Sequence, residues 1–332
     1  MKRVRICFVI CWIWLVADLS SAQVSIEDGG VKETKTDFYG NSLTCFERQI
    51  TCRNQSPVSY VFQYRYIYPA LKGEKVEHPL PASVTFPAFP SIVGSIGGTA
   101  GLGLKGGAWY VGGFFEVALK PGLNKTLMRK MKVLEEGQRG LVECVWTQET
   151  AKVSARFLVF PKDDKLFMDI NVRSKIPLEK LSLLFVCIPG NNGYTMSYYD
   201  GSFQERDKWI CTPTGNFQHH DANDLINPNE GPWVLYFDSK NNAPLGSCAL
   251  MWVPEQIDSI VVDQKANKTV YTTVTLAKTT RNARFILWNF PDSYKRPADA
   301  FSYLKSHGQE WLTQLRQVSF GSKGGNNKKE ER

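Results

Sequence analysis

The chain has 332 residues, 43% of them hydrophobic and 22% charged, with a formal net charge of +8. That composition excludes a disordered or collagen-like chain and leaves room for one large domain or two smaller ones. Much of the charge is terminal: Lys2, Arg3 and Arg5 stand against Asp18 at one end, and four basic against two acidic residues in Gly321–Arg332 at the other. About +4 remains between them, a mildly basic surface rather than a nucleic-acid footprint, with no Lys/Arg cluster along any one element.

Met1–Arg5 is basic, Ile6–Val16 is apolar and Ser20, Ser21 and Ala22 are small, the order of a signal peptide cleaved after Ala22. Asp18 closes the apolar run short of the roughly 20 residues a spanning helix needs, and no later segment reads as a membrane span. The sequence therefore predicts an exported protein, secreted or periplasmic. Residues 1–22 are its signal peptide, 23–320 a single domain, and 321–332 a disordered polar tail. Six cysteines follow the leader: Cys45, Cys52, Cys144, Cys187, Cys211 and Cys248. Cys45 and Cys52 flank a short segment and are the candidate disulfide of an exported chain. Cys144, Cys187 and Cys248 sit in apolar runs and read as small buried hydrophobes. No CxxC occurs, which disfavours a zinc knuckle or a thioredoxin-like site.

In chain order, strand patterns begin at Ser42–Phe46 and Gln49–Arg53. Tyr60, Phe62, Tyr64, Tyr66 and Tyr68 then alternate with Val61, Gln63, Arg65 and Ile67. That period of two is a β-strand with one aromatic face, suited to core packing first and to a sugar-stacking platform second. Residues 71–90 are Pro-rich and read as loop. Gly101, Gly103 and Gly106 formally match G-x-G-x-x-G, but the aromatic run Ala108–Val117 follows instead of a helix, so the context of a dinucleotide site fails. Strand patterns return at Asn124–Val133, Leu141–Trp146, Val153–Phe160, Lys165–Arg173 and Leu181–Ile188. In Lys165–Arg173, Leu166, Met168, Ile170 and Val172 face one way and Phe167, Asp169, Asn171 and Arg173 the other, as in a half-buried antiparallel strand. Further strands are expected at Trp233–Asp238, Ser247–Val253, Ser259–Asp263, Thr269–Leu276 and Ala283–Phe290. A helix closes the pattern: Pro297 suits a first helical position, and Phe301, Leu304, Trp311, Leu312 and Leu315 recur at helical spacing, with Gly308 weakening its middle. More than ten short strands and one late helix predict an all-β fold, a large antiparallel β-sandwich with one C-terminal helix.

The stretch Tyr198–Trp233 interrupts that pattern. It is polar and turn-rich yet carries Tyr198, Tyr199, Phe203, Trp209, Phe217 and Trp233, so it reads as a functional loop rather than a disordered one. His219 and His220 precede Asp221, Asn223 and Asp224, and Glu205 and Asp207 lie upstream. A histidine beside carboxylates can serve as acid or base near neutral pH, which makes His219, His220, Asp221 and Glu205 the candidate catalytic residues. Tyr198, Tyr199, Trp209 and Trp233 are the candidate substrate-binding aromatics. Asp221, Asn223 and Asp224 offer oxygen ligands of the kind calcium takes; no cofactor is otherwise predicted, and no metal site is assigned. A turn-forming polar loop with no site is the plain alternative. No G-x-S-x-G elbow and no H-E-x-x-H occur.

A single long β-sandwich of many short strands with a polar His/Asp loop resembles the galactose-mutarotase-like supersandwich. Gly137–Phe160 (GQRGLVECVWTQETAKVSARFLVF) and Gly246–Pro254 resemble strands of that family. The resemblance assigns no catalytic residue to a position in this chain. It implies a carbohydrate ligand and, if the protein is an enzyme, an epimerase, lyase or glycosidase-like activity. The expectation is thus an exported carbohydrate-binding or carbohydrate-modifying protein with its glycan site near residues 198–233. The alternative is a non-enzymatic envelope or interaction protein. Neither expects a nucleic-acid partner, and the oligomeric state is left open.

Overall fold

The structure, a computed structural model, describes residues 22–38, 41–56, 59–68, 115–118, 128–147, 151–175, 181–187, 208–215, 218–219, 224–238, 247–264, 270–277, 280–289 and 297–322. Residues 1–21, the Pro-rich and Gly-rich stretches within 69–114, and residues 323–332 lie outside them. Among the described residues the fold is all-β with one C-terminal α-helix, as the sequence predicts.

The described strands form three antiparallel sheets. β1 (Ser25–Phe38), β2 (Asn41–Arg53) and β3 (Ser59–Tyr68) form a three-stranded sheet. The nine-stranded sheet contains β5 (Met128–Glu135), β6 (Gly140–Thr147), β7 (Ala151–Val159), β8 (Lys165–Ser174), β10 (Lys208–Cys211), β11 (Gln218–His219), β13 (Trp233–Asp238), β14 (Cys248–Trp252) and β17 (Asn282–Asn289). Its spatial order is β11-β10-β13-β14-β17-β8-β7-β6-β5. The five-stranded sheet runs β12-β15-β16-β9-β4, from β12 (Asp224–Ile226), β15 (Ile257–Gln264), β16 (Val270–Leu276), β9 (Ser182–Cys187) and β4 (Phe115–Ala118). The helix α1 spans Pro297–Gln317.

The nine- and five-stranded sheets form the sandwich, and period-two alternation decides what lies between them. Leu166, Met168, Ile170 and Val172 of β8 point inward with Val153, Ala155 and Phe157 of β7 and Phe285 and Leu287 of β17. An aromatic chain crosses all three sheets. Phe62 meets Phe157 with ring centroids 4.9 Å apart, Phe115 meets Phe157 at 6.3 Å, Phe115 meets Phe185 at 5.2 Å, and Phe185 meets Phe285 at 5.1 Å. Each fully buried Phe contributes about 1.5–3 kcal/mol through area removed from water. One polar link crosses the core, Tyr236 Oη to Thr272 Oγ1 at 2.7 Å, which satisfies two groups that would otherwise be costly to bury. Tyr60 and Phe62 on the aromatic face of β3 are buried in this core, so at those positions the stripe is packing rather than a platform.

The outer face of the nine-stranded sheet has two halves. One is apolar and covered by α1: Leu141, Leu158, Phe167, Ile286, Trp288, Met251 and Leu235 pack against Leu304, Trp311, Leu312 and Leu315. Trp288 and Trp311 meet edge to face at 4.5 Å. The other half is open and polar.

Two expectations are corrected here. Cys45 and Cys52 both lie on β2, and seven residues at about 3.3 Å each place their Cα atoms roughly 23 Å apart, far beyond the reach of a disulfide. Cys52, Cys144, Cys187 and Cys211 are free, buried thiols, and Cys248 is buried as well. Burial pushes the Cys52 and Cys211 thiols up to about 12, the behaviour of inert core cysteines. The stretch Tyr198–Trp233 is also more regular than a loop. Its described part supplies β10 and β11 to one edge of the nine-stranded sheet and β12 to the edge of the five-stranded sheet, so it crosses between the two layers.

Candidate functional site

The sequence-predicted site residues fall into three groups. Tyr198, Tyr199, Glu205, His220 and Asp221 lie outside the described residues. Trp209 on β10 and His219 on β11 are directly opposite in the strand register, which brings two of the predicted residues together at the sheet edge. Trp233 is placed differently from expectation. It is 2% exposed and packs against Phe301 of α1 with ring centroids 5.9 Å apart, so most of its ring anchors the helix, and what remains borders a small hollow.

Near these residues Ile210, Pro213, Asp224, Asn227 and Glu230 line a hollow of about 70 Å³. Asn227 donates to Glu230 there at 3.3 Å. Among the described residues no cluster of three His, Cys, Asp or Glu side chains is disposed to hold a metal.

The larger recess lies elsewhere, on the open half of the nine-stranded sheet. It encloses about 360 Å³ and is lined by Glu143, Lys152, Ser154, Arg156, Asp169, Asn171 and Arg173. Strand register explains why these side chains meet. Glu143 on β6 is opposite Arg156 on β7, Arg156 is opposite Asp169 on β8, and Asp169 is opposite Arg284 on β17. Acid and base thus alternate across four strands. Arg156 Nε donates to Glu143 at 2.9 Å and Arg284 Nε to Asp169 at 3.0 Å. The next row, one pleat further from the helix, is Val145, Ser154, Asn171 and Asn282, with Asn171 Nδ2 donating to Asn282 Oδ1 at 2.6 Å. Beyond it Lys152 stands opposite Arg173.

The charged row is also the boundary with the helix. Arg284 Nη1 donates to the Leu315 and Arg316 carbonyls at 3.1 and 2.7 Å, and Arg156 Nη1 to the Phe320 carbonyl at 3.1 Å. Burial raises the Asp169 carboxyl above its ordinary value, while the Arg284 and Arg156 guanidiniums oppose that rise. Both carboxylates are thereby committed to arginines. Ser154, Asn171, Lys152 and Arg173 line the rest of the recess, a set of hydrogen-bond donors and acceptors together with two exposed cations. Sequence reading had separated Asp169, Asn171 and Arg173 from the core face of their strand. The signal that would have found the recess is the same polar alternation in the neighbouring strand, at Lys152, Ser154 and Arg156.

No family model matches the chain, and no curated protein matches it. Similar solved structures exist. One is a protein from Klebsiella pneumoniae assigned as an aldose 1-epimerase, with TM-score 0.46 and 7% identity over 88% of this chain and 96% of that one. An α-mannosidase from Enterococcus faecalis has TM-score 0.42 and 7% identity over 88% of this chain and 38% of its own. The galactosidase domain of an α-galactosidase–sucrose kinase has TM-score 0.41 and 10% identity over 73% of this chain. The chain spans about two fifths of the length of that galactosidase.

Proposed function

We propose that this chain is an exported carbohydrate-binding protein whose glycan lies on the open half of the nine-stranded sheet. The observation that carries this reading is the in-register polar face, where Ser154, Asn171, Lys152 and Arg173 sit side by side in a recess of about 360 Å³. A sugar presents hydroxyls that both donate and accept, and an array of hydroxyl, amide and cationic groups on adjacent strands matches that pattern without rearrangement. Rigid strands supply the positions, so little ordering is left to occur on binding. Export is supported by the basic, apolar and small-residue order of residues 1–22.

Binding is favoured over turnover because Glu143 and Asp169 are each paired to an arginine. An acid–base pair for carbohydrate chemistry needs one carboxyl free to carry a proton and another free to act as base or nucleophile. The second location, within residues 198–233, is supported by Trp209 standing opposite His219 in the register.

The test is thermal unfolding of the full chain across a panel of neutral and acidic oligosaccharides. A glycan that binds only the native state at about a hundredfold excess over Kd stabilises by about 2.7 kcal/mol, a shift of several degrees. Asn171→Ala should abolish the shift while costing the unliganded protein only about 1 kcal/mol, the usual worth of one hydrogen bond. No shift with any glycan would overturn the reading, and product release from a glycan would replace binding with catalysis.

A further inference from the structure

Among the described residues, the open face carries more positive charge than its carboxylates can answer. Alternation on β5 points Met131 and Val133 to the core and Leu134 to the helix layer. Lys130 and Lys132, opposite Val145 and Glu143 respectively, therefore share the face with Glu143, Arg156 and Asp169. Among the described residues the cations on this face are Lys130, Lys132, Lys152, Arg156, Arg173 and Arg284, and the acids are Glu143 and Asp169, already bonded to Arg156 and Arg284. Lys130, Lys132, Lys152 and Arg173 are exposed and form no ion pair with any described residue.

Lys152 and Arg173 are moreover direct cross-strand neighbours. Like charges in that relation destabilise a sheet, and a sequence free to choose would separate them or place an acid beside them. An anion bound between them removes the repulsion. The unpaired cations extend from β5 to β8, three strand spacings or about 14 Å at ~4.8 Å per strand, which is longer than one sugar ring. Ser154 and Asn171 lie among them and offer neutral hydrogen bonds to hydroxyls. Between the cations no described side chain of the row is aromatic, so the described part of the face offers no stacking partner of the kind single-stranded nucleic acid uses.

We infer that the ligand of this face is an acidic polysaccharide chain, carboxylated or sulfated, running across β5–β8 with Lys152 and Arg173 as its paired anion contacts. The inference rests on the glycan-binding reading above and specifies its ligand class. A charged polymer also accounts for cations spread across strands rather than gathered at one point, since each successive acidic sugar meets a different strand.

The test uses the full chain and its Lys152→Gln/Arg173→Gln variant. Calorimetric titrations employ oligogalacturonate as carboxylated probe, dextran sulfate as sulfated probe, a neutral galactan, and a single-stranded oligodeoxynucleotide. Both positions are exposed and mutually repulsive, so the unliganded variant should melt at or above the wild-type temperature. Oligogalacturonate or dextran sulfate should bind the wild type, more weakly as salt rises through the Debye regime. The variant should bind it about tenfold or more weakly, the equivalent of about 1.4 kcal/mol; which of the two binds identifies carboxylate or sulfate. Binding of neutral galactan alone, unchanged in the variant, overturns the acidic ligand and leaves the glycan reading standing. Failure of all three glycans overturns both. Equal affinity for the oligodeoxynucleotide and the acidic glycans overturns the inference in favour of indiscriminate polyanion binding.

Discussion

Gly308 shows how a residue that is poor for local structure can be right for packing. It sits inside α1, where glycine costs about 1 kcal/mol relative to alanine. A Cβ there would come within 3.0 Å of Trp233 Nε1 and 3.2 Å of Trp233 Cδ1. Trp233 is buried and held by Phe301, so it has little freedom to withdraw. Overpacking of this kind costs about 1–3 kcal/mol, which outweighs the gain in helix propensity. Gly308→Ala should therefore lower the melting temperature, by a net ~1 kcal/mol in a urea titration; a rise would show that Trp233 can shift. Gly231 obeys a harder version of the same rule, since a Cβ there would meet Pro213 Cγ at 2.1 Å. From sequence Gly308 reads only as a weak point of the helix, because the ring that requires it comes from a strand some 75 residues away, a separation no local pattern reports.

At the scale of elements, arginines fasten the pieces together. Arg139 is 4% exposed, bonds bidentately to Glu135, and donates to the carbonyls of Ser319 and Gly321 beyond the end of α1. Removing one member of a buried pair leaves an uncompensated charge, at a cost of about 3–5 kcal/mol. Arg139→Ala should lose about that much stability and loosen residues 318–322, seen as faster amide exchange; Arg139→Lys should recover only part, because a lysine cannot reproduce the fork. A second fastening ties the three-stranded sheet to β5. Arg48 bonds the Asp28 carboxylate and donates to the Met131 carbonyl at 2.8 Å. The Arg48 hydrogen bond holds the Asp28 carboxyl below its ordinary value of 3.8. The stabilisation is therefore fully present above pH 3.8 and is lost as pH falls through the lower folded value. Asp28→Asn should be less stable than wild type at pH 6, with the difference shrinking as the pH is taken below 3.8; a gap that does not depend on pH would contradict this. The helix itself was legible from Pro297 and its apolar spacing, β8 from its alternation, β9 from a continuous apolar run, and the other strands of β5–β9 and β13–β17 from turn-punctuated strand patterns. The three-stranded sheet as a separate layer was not, because pairing partners are set by docking through Ile50, Tyr60 and Phe62 rather than by any pattern within those strands.

At the scale of the molecule, one sheet does two jobs with its outer face. Where strand residues are apolar, α1 covers them; where they turn polar, at Glu143, Arg156, Asp169 and Arg284, the cover stops and a recess begins. The sequence reading placed function in Tyr198–Trp233 because an interruption of β pattern is visible from one segment alone. A site composed of alternate residues from β5, β6, β7, β8 and β17 is invisible until register is known, which is why the charge balance shows no basic cluster along any one element. Cations spaced two apart on separate strands form a patch only when the strands are side by side.

The proposal that this open face holds a glycan is tested most directly by hydrogen–deuterium exchange of the full chain with and without oligogalacturonate or neutral galactan, whichever raises the melting temperature. Protection is predicted in peptides covering residues 140–159 and 165–174. Protection confined to peptides from 198–233, or none at a saturating concentration, would contradict it.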